Sequence, residues 1–456
     1  VPERHTSRDS KRSDSAAAGT SVSGGRFFSV SRLRGDHPEW YLLDNQARIF
    51  PPILSDRFPT VFRLSALLSR PVRLAALERA LVRAYRRMPY FAVTLRRGVF
   101  WHYLEQCDPA GVLPDRGSPC TDRPRYGVRR PLVLVYARGR RIAVEASHIV
   151  TDGTGALAFL RRLLGYYAEE LGGADADRPD DAPTPEDLAI EEQYASRVYS
   201  GRGLPPPPVF SRAWHLPGAR LPRRTYRATV LRYDIACVRE RAGSFGVTLT
   251  DYVLAVFLYA LQHRYHAAGV SRRRGRPIRV LVPVNMRPAV GSGTMRNFFV
   301  YIMIELDPRL GRYELDEIAT TVHHRMRVEL DPRSLHRQLA RNVHAERQLA
   351  IRLIPIFFKD VILRTVHRMR GETVNTASLS NLGGVTLDPA ADELVESFDF
   401  IPPRSPVTGV NMTMIGFRDT LTVGFGSSRE DRDVETEVAR AFAAEGCLAR
   451  LRTNGR

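Results

Sequence analysis

Apolar residues recur at helical spacing in "VRLAALERALVRAYRRM" (72–88), where Leu74, Leu77, Leu81 and Ala84 fall on one face, and the spacing predicts an amphipathic helix. The period then changes to two. "YFAVTLRRGVFWHYLEQ" (90–106) alternates on either side of Arg-Arg-Gly and predicts a β-hairpin. "PLVLVYARGRRIAVEASH" repeats the pattern around Arg138-Gly139-Arg140, and its second strand ends at His148. Beyond a short loop, Leu157, Leu160, Leu164, Tyr167 and Leu171 step by three and four, a single helical stripe closed by Gly172-Gly173.

The pattern then lapses. Residues 172–224 hold "ADADRPDDAPTPEDL" and "GRGLPPPPVFSR", rich in Pro, Asp and Gly, and read as a linker. Order resumes with a strand at 226–234 and the helix "TDYVLAVFLYALQHRY", faced by Leu254, Phe257, Leu258, Leu261 and Tyr265. Two strands ("IRVLVPV", "NFFVYIMIEL"), two long helical segments within 313–352, four more strands ("VNTASLS", "VESFDFI", "GVNMTMI", "LTVGFG") and a final helix over about 433–451 complete the chain. The first 25 residues, Ser-, Arg-, Asp- and Gly-rich, lack the apolar centre of a signal peptide and read as a disordered tail. The division expected is therefore a tail (1–25), a first half (26–171), the linker (172–224) and a second half (225–456), each half mixing strands with helices.

Composition narrows the class. A length of 456 residues exceeds one ordinary core, and 43% hydrophobic residues can fill two. No run of eighteen apolar residues predicts a transmembrane helix. Cys107, Cys120, Cys237 and Cys447 are widely spread with no C-x-x-C, which predicts neither a disulfide framework nor a zinc site and fits a reducing cytoplasm. The net charge of +19 invites an acidic partner. However, lysine occurs only at Lys11 and Lys359, the arginines are scattered, and no RNP, zinc-finger or basic-helix signature supports nucleic acid.

The loop "EASHIVTDGTGALAF" (145–159) is the best candidate for chemistry. Gly153, Gly155 and Ala158 match G-x-G-x-x-A, but the strand before them belongs to a hairpin and no second parallel strand with a terminal acid follows, which argues against a dinucleotide turn. His148 and Asp152 lack a third metal ligand, and His323, His324, His336 and His344 lie in a helical region as surface residues, so no metal is expected. The plainest reading is a histidine at a strand end and an N-capping aspartate. The catalytic reading needs a reaction that one histidine can run. Acyl transfer from a thioester is such a reaction: the leaving group is already good, and a base near neutral pKa suffices.

"HIVTDG" fits H-x-x-x-D-G, "PVNMRP" (283–288) is similar to P-V-N-x-R, "RNFF" (296–299) to G-N-F with Arg296 in place of Gly, and "SLSNLGG" (378–384) to S-N-x-G. "EWYLLDNQARIFPP" (39–52) adds a similar opening. On these segments the chain from residue 26 onward resembles the chloramphenicol-acetyltransferase-like superfamily, which includes condensation domains, alcohol O-acetyltransferases and polyketide-associated acyltransferases. Ser147 stands where most condensation domains have a second histidine, and the D-F-G-W-G segment of plant members is missing, which favours a standalone, alcohol acetyltransferase-like enzyme. The resemblance implies an α/β pseudodimer of two lobes, each a mixed sheet flanked by helices, with a tunnel between them. His148 would be the catalytic base at mid-tunnel, Gly153 would leave room for substrate, and Asp152 would be structural, paired with Arg287. Asn297, Ser380 and Asn381 would face the tunnel from the second lobe. It further implies acyl-CoA, or another pantetheine thioester, as co-substrate, no resident cofactor, and an alcohol as acceptor. An N-acyltransferase or condensation enzyme served by an acidic carrier protein, and a non-catalytic binding relative, are the alternatives.

Overall fold

The computed structural model describes residues 40–172, 209–271, 273–347 and 353–454. The tail assigned to 1–25 and most of the linker assigned to 172–224 lie outside the described residues. In chain order the strands are β1 (Trp40–Leu42), β2 (Val61–Leu68), β3 (Val93–Arg97), β4 (His102–Gln106), β5 (Leu113–Pro114), β6 (Val133–Arg138), β7 (Arg141–Ser147), β8 (Arg227–Asp234), β9 (Ile278–Asn285), β10 (Phe299–Leu306), β11 (Ala377–Val385), β12 (Val395–Ile401), β13 (Val410–Phe417), β14 (Thr420–Ser427) and β15 (Arg450–Thr453).

Two mixed sheets organise the chain. The first is ordered β12-β2-β7-β6-β5, the second β10-β9-β11-β13-β14-β8-β15, and a small third sheet β1-β4-β3 flanks the first. Both predicted hairpins form, β3 with β4 and β6 with β7, each antiparallel. On the first sheet Leu64, Ala66, Val144 and Ala146 are buried with Leu77, Leu81, Phe159 and Leu160 of the helices Leu74–Arg87 and Gly153–Leu171. A capping box at Thr248 and Asp251 starts the helix Leu249–Ala267, whose residues from Asp251 to Leu258 are all buried and fill the second core with Val280, Ile302, Met412 and Phe425. That burial explains its apolar residues all round, beyond a single stripe.

Four features depart from the sequence reading, the first being the helix Ile356–Arg370, which lies beyond the two helical segments read within 313–352. β12 comes from the second half of the sequence but pairs antiparallel with β2 of the first sheet, while Thr413 Oγ1 on β13 donates to Phe400 O at 2.5 Å. The two sheets are thus joined by a strand that no single cut in the chain separates. The terminal helix stops at Ala444, and residues 450–453 form β15, paired with β8. Cys237 and Cys447 are bonded as a disulfide, Cα to Cα 6.0 Å, against the expectation of four unlinked cysteines. They are 210 residues apart, so sequence spacing carries no sign of the pairing; the β8–β15 contact brings their segments together. No single described helix is long and apolar enough to cross a membrane.

Candidate active site

β7 ends at Ser147, and the next helix begins at Gly153, so His148 sits on the turn between them. The turn is pinned through its backbone. His148 N donates to Thr60 O at 2.9 Å, and Val150 N and Thr151 N donate to Ser147 O at 2.9 and 3.3 Å. Thr60 holds a left-handed backbone, φ 58°, uncommon for a β-branched residue and a local strain at the point that anchors the histidine. Ser147 is fully buried, its Oγ 3.4 Å from Thr60 Oγ1.

The imidazole of His148 lies between two phenyl rings. Phe50 stacks on it with centroids 5.3 Å apart, and Phe62 of β2 tilts against it at 4.6 Å. Phe400 of β12 packs edge-on to Phe62. Burial pushes the imidazole down to about 4, against the opposing pull of the Asp152 carboxylate, so the ring is neutral at neutral pH.

Asp152 N-caps the helix Gly153–Leu171, accepting from Gly155 N at 3.0 Å. Its two oxygens also accept from Arg287 Nη1 and Nη2 at 2.9 and 3.0 Å and from Phe298 N at 3.0 Å. Arg287 directs its other guanidinium protons to Thr294 O, Asn285 Oδ1 and Arg296 O. All five donors of the fork therefore have acceptors, which is what allows a charge to lie 7% exposed.

Asn297 ties the second half to the histidine turn, its Nδ2 donating to His148 O and to Asp44 Oδ2, both at 3.0 Å. Asp44 also accepts from Ala47 N and Asn297 N, and burial raises its carboxyl to about 6. Arg296 lies over the Tyr90 ring at 4.8 Å and donates to Leu42 O at 2.9 Å, so the arginine found in place of glycine fills a space between the first strand and the turn.

Gly153 and Gly155 have packing reasons of their own. A Cβ on Gly155 would lie 2.2 Å from Met295 O and from Thr151 Oγ1, and one on Gly153 would lie 2.9 Å from a Leu382 methyl. The S-N-x-G segment is therefore beside the histidine loop through Leu382. Asn381 is engaged locally, with Nδ2 to Thr250 Oγ1 at 2.9 Å and Oδ1 accepting from Gly383 N at 2.7 Å. Ser380 lies half-buried on β11 opposite Thr413 of β13. The structure thus gathers His148, Asp152, Gly153, Arg287 and Asn297, and connects Ser380 and Asn381 to them only through their neighbour.

Sequence reasoning did not single out Asp44, Phe50, Phe62 or Thr60. The first two lie in the opening segment "EWYLLDNQARIFPP", the only advance signal for them. A cavity of about 460 Å³, lined by Arg63, Ser65, Asp115, Arg141, Asp399 and Arg452 among others, lies elsewhere. Arg63 and Ser65 alternate along β2 with Phe62, so this cavity opens on the opposite face of the sheet from the histidine ring. Among the described residues no three His, Cys, Asp or Glu side chains converge as metal ligands.

No family model matches the chain, and no curated protein matches its sequence. Solved structures do match in fold. Polyketide synthase associated protein 5 from Mycobacterium tuberculosis is 14% identical with a TM-score of 0.59, covering 90% of this chain and 99% of that one. TRI101 of F. sporotrichioides, solved with coenzyme A and T-2, is 15% identical with a TM-score of 0.56, covering 91% and 100%. The epimerization domain from the third module of tyrocidine synthetase B is 12% identical with a TM-score of 0.56, covering 89% and 95%. The chain has the two-lobed α/β fold of condensation-domain-like proteins and CoA-dependent acyltransferases.

Proposed function

We propose that the protein transfers an acyl group from a thioester, acyl-CoA, to a hydroxyl acceptor, with His148 as the general base. The observation that carries this reading is the histidine itself: a neutral imidazole between Phe50 and Phe62, on a turn held from both halves of the chain. Nδ1 is buried, which leaves Nε2 for the substrate. In the reaction the acceptor oxygen attacks the thioester carbonyl while Nε2 takes its proton. The C–S bond then breaks, and the imidazolium returns the proton to the departing thiolate. Asp152 and Arg287 keep the turn in place through their bidentate pair. The Ser380 hydroxyl is a better candidate than Asn381 for the developing oxyanion, because the Asn381 amide is already hydrogen-bonded at both ends.

The choice of CoA as donor is supported by the fold shared with TRI101, which was solved with coenzyme A. The choice of a hydroxyl acceptor rests on the "SLSNLGG" segment and on Ser147 where condensation domains carry histidine. The test is thiol release from acetyl-CoA and longer acyl-CoAs with a panel of alcohols and amines. Release with alcohols that disappears in His148→Ala supports the reading. Release with amines alone would move the assignment to N-acyl transfer, and no release with any pair would remove it.

A further inference from the structure

The helix Ile356–Arg370 turns aromatic and aliphatic side chains to solvent: Phe357 is 63% exposed, Phe358 58% and Ile362 50%. Beside it stands the tip of the β3–β4 hairpin, where Val99 is 69% exposed and Phe100 and Trp101 are partly so. The two elements form one face. Ile356 N donates to Val99 O, and Lys359 Nζ to Phe100 O, both at 2.9 Å. Six large apolar side chains on a continuous surface exceed what a monomeric protein normally leaves in water, and such a patch marks a docking site.

We propose that this face docks on an anionic lipid bilayer. Charge distribution selects the occupant. Residues 356–370 contain one lysine and three arginines against a single acid, Asp360. Asp360 is turned inward, accepting from Arg97 Nη2 at 3.2 Å and lying 3.0 Å from His102 Nε2 beneath the hairpin. Among the described side chains, the outward face is therefore apolar with the cations Lys359 and Arg364 at its border and no exposed carboxylate of its own, the composition of a helix that lies in a membrane interface. A second copy of the chain is disfavoured by the same charge, because each copy brings +19 to the contact. The helix also reaches the site: Arg364 Nε donates to Pro52 O at 2.5 Å, His367 packs on Phe58, and Phe50 of the contacted segment stacks on His148. The docking does not depend on the acyl-transfer reading.

The experiment is flotation of the full chain with phosphatidylcholine vesicles, with and without phosphatidylglycerol. Binding is expected to the anionic vesicles, to weaken as salt rises, and to fall about a hundred-fold or more in Phe357→Ser/Phe358→Ser/Ile362→Ser, three exposed positions whose loss leaves circular dichroism and melting unchanged. His148→Ala should float like the parent protein, which separates this outcome from that of the catalytic proposal. Failure of the parent protein to float, or equal flotation of the triple variant, overturns the proposal. So does a parent protein that stays off vesicles but sediments as a dimer that the triple variant dissociates, which would give the face to a second copy.

Discussion

Arg287 and Asp152, 135 residues apart, form a bidentate ion pair with N···O distances of 2.9 and 3.0 Å, and each is also hydrogen-bonded to backbone of the other's segment or its own. Removing one partner leaves the other charged, buried and unmatched, at a cost of about 3–5 kcal/mol. Asp152→Asn and Arg287→Ala should each lower the melting temperature and the activity together. The double variant should lose less than the sum of the singles, because contacting partners are not additive. Additive losses in the double-mutant cycle would show that the pair does not act as a unit.

His148 differs in kind, since its side chain packs on the Phe50 and Phe62 rings and forms no ion pair comparable to that of Asp152. His148→Ala should keep the far-ultraviolet spectrum and lose turnover by about a hundred- to ten-thousand-fold, the usual worth of a general base. A folded variant that turns over near the parent rate would remove the base assignment.

The depressed imidazole sets a pH signature. In the folded protein His148 takes a proton only near pH 4, whereas in the unfolded chain it does so near 6.5. Between these values the unfolded state binds the extra proton, so the contribution of His148 to stability is full above pH 6.5 and is lost as pH falls toward 4. The rate follows the folded value. kcat/KM should stay level from neutral pH to about 5 and drop below that, in step with an imidazole that burial lowers to about 4. An acid limb centred near 6.5 would mean that the phenyl rings do not seal the imidazole in solution.

Much of this arrangement was legible in the sequence and some was not, for physical reasons. Periodicity gave both hairpins, the helices beginning near Leu74 and Gly153, and the end of β7 to within one residue, at His148 where the strand stops at Ser147, because each is a local pattern imposed by one buried face. The motif segments pointed to Asp152, Arg287 and Asn297. Phe50, Phe62 and Asp44 stayed hidden, since an apolar residue beside a histidine and a carboxylate beside an asparagine are contacts between distant segments, and local pattern carries no record of them. β12 was read as a strand, but its crossing to β2 could not be, because either sheet offers a strand of that pattern an equivalent place. The cysteine pair went unseen for the same reason. The helix Ile356–Arg370 escaped because its apolar residues face outward and do not form the inward stripe that periodicity detects.

The two glycines after Asp152 should respond unequally to alanine. At Gly155 the new methyl would meet the backbone oxygen of Met295, which cannot move without shifting the loop that carries Arg287 and Asn297. Gly155→Ala should cost about 1–3 kcal/mol and most of the activity. At Gly153 the methyl meets the end of a leucine side chain that can turn aside, so Gly153→Ala should be milder. Thermal melting of the two variants checks the order, and a larger loss at Gly153 would contradict the packing described.

The remaining prediction concerns the route of the acyl group. A covalent intermediate needs a nucleophile, and the structure offers poor ones: burial pushes the Cys107 thiol up to about 12 and holds Cys120 well above the ordinary thiol range, and Cys237 and Cys447 are bonded to each other. Thiolate is the reactive form, so neither free cysteine is an acyl carrier at neutral pH. His148, neutral and packed between rings, is suited to taking a proton from the acceptor. The acyl group should therefore pass directly from thioester to acceptor with both bound, and steady-state kinetics with both substrates varied should give intersecting double-reciprocal lines. The KM for acyl-CoA should rise with ionic strength, because a chain of net charge +19 attracts the phosphates of CoA through a field that salt screens. Mass spectrometry of the protein mixed with donor alone should show no added acyl mass. Parallel lines together with a stable acyl adduct would establish a two-step exchange and displace His148 from the role of base toward the acceptor.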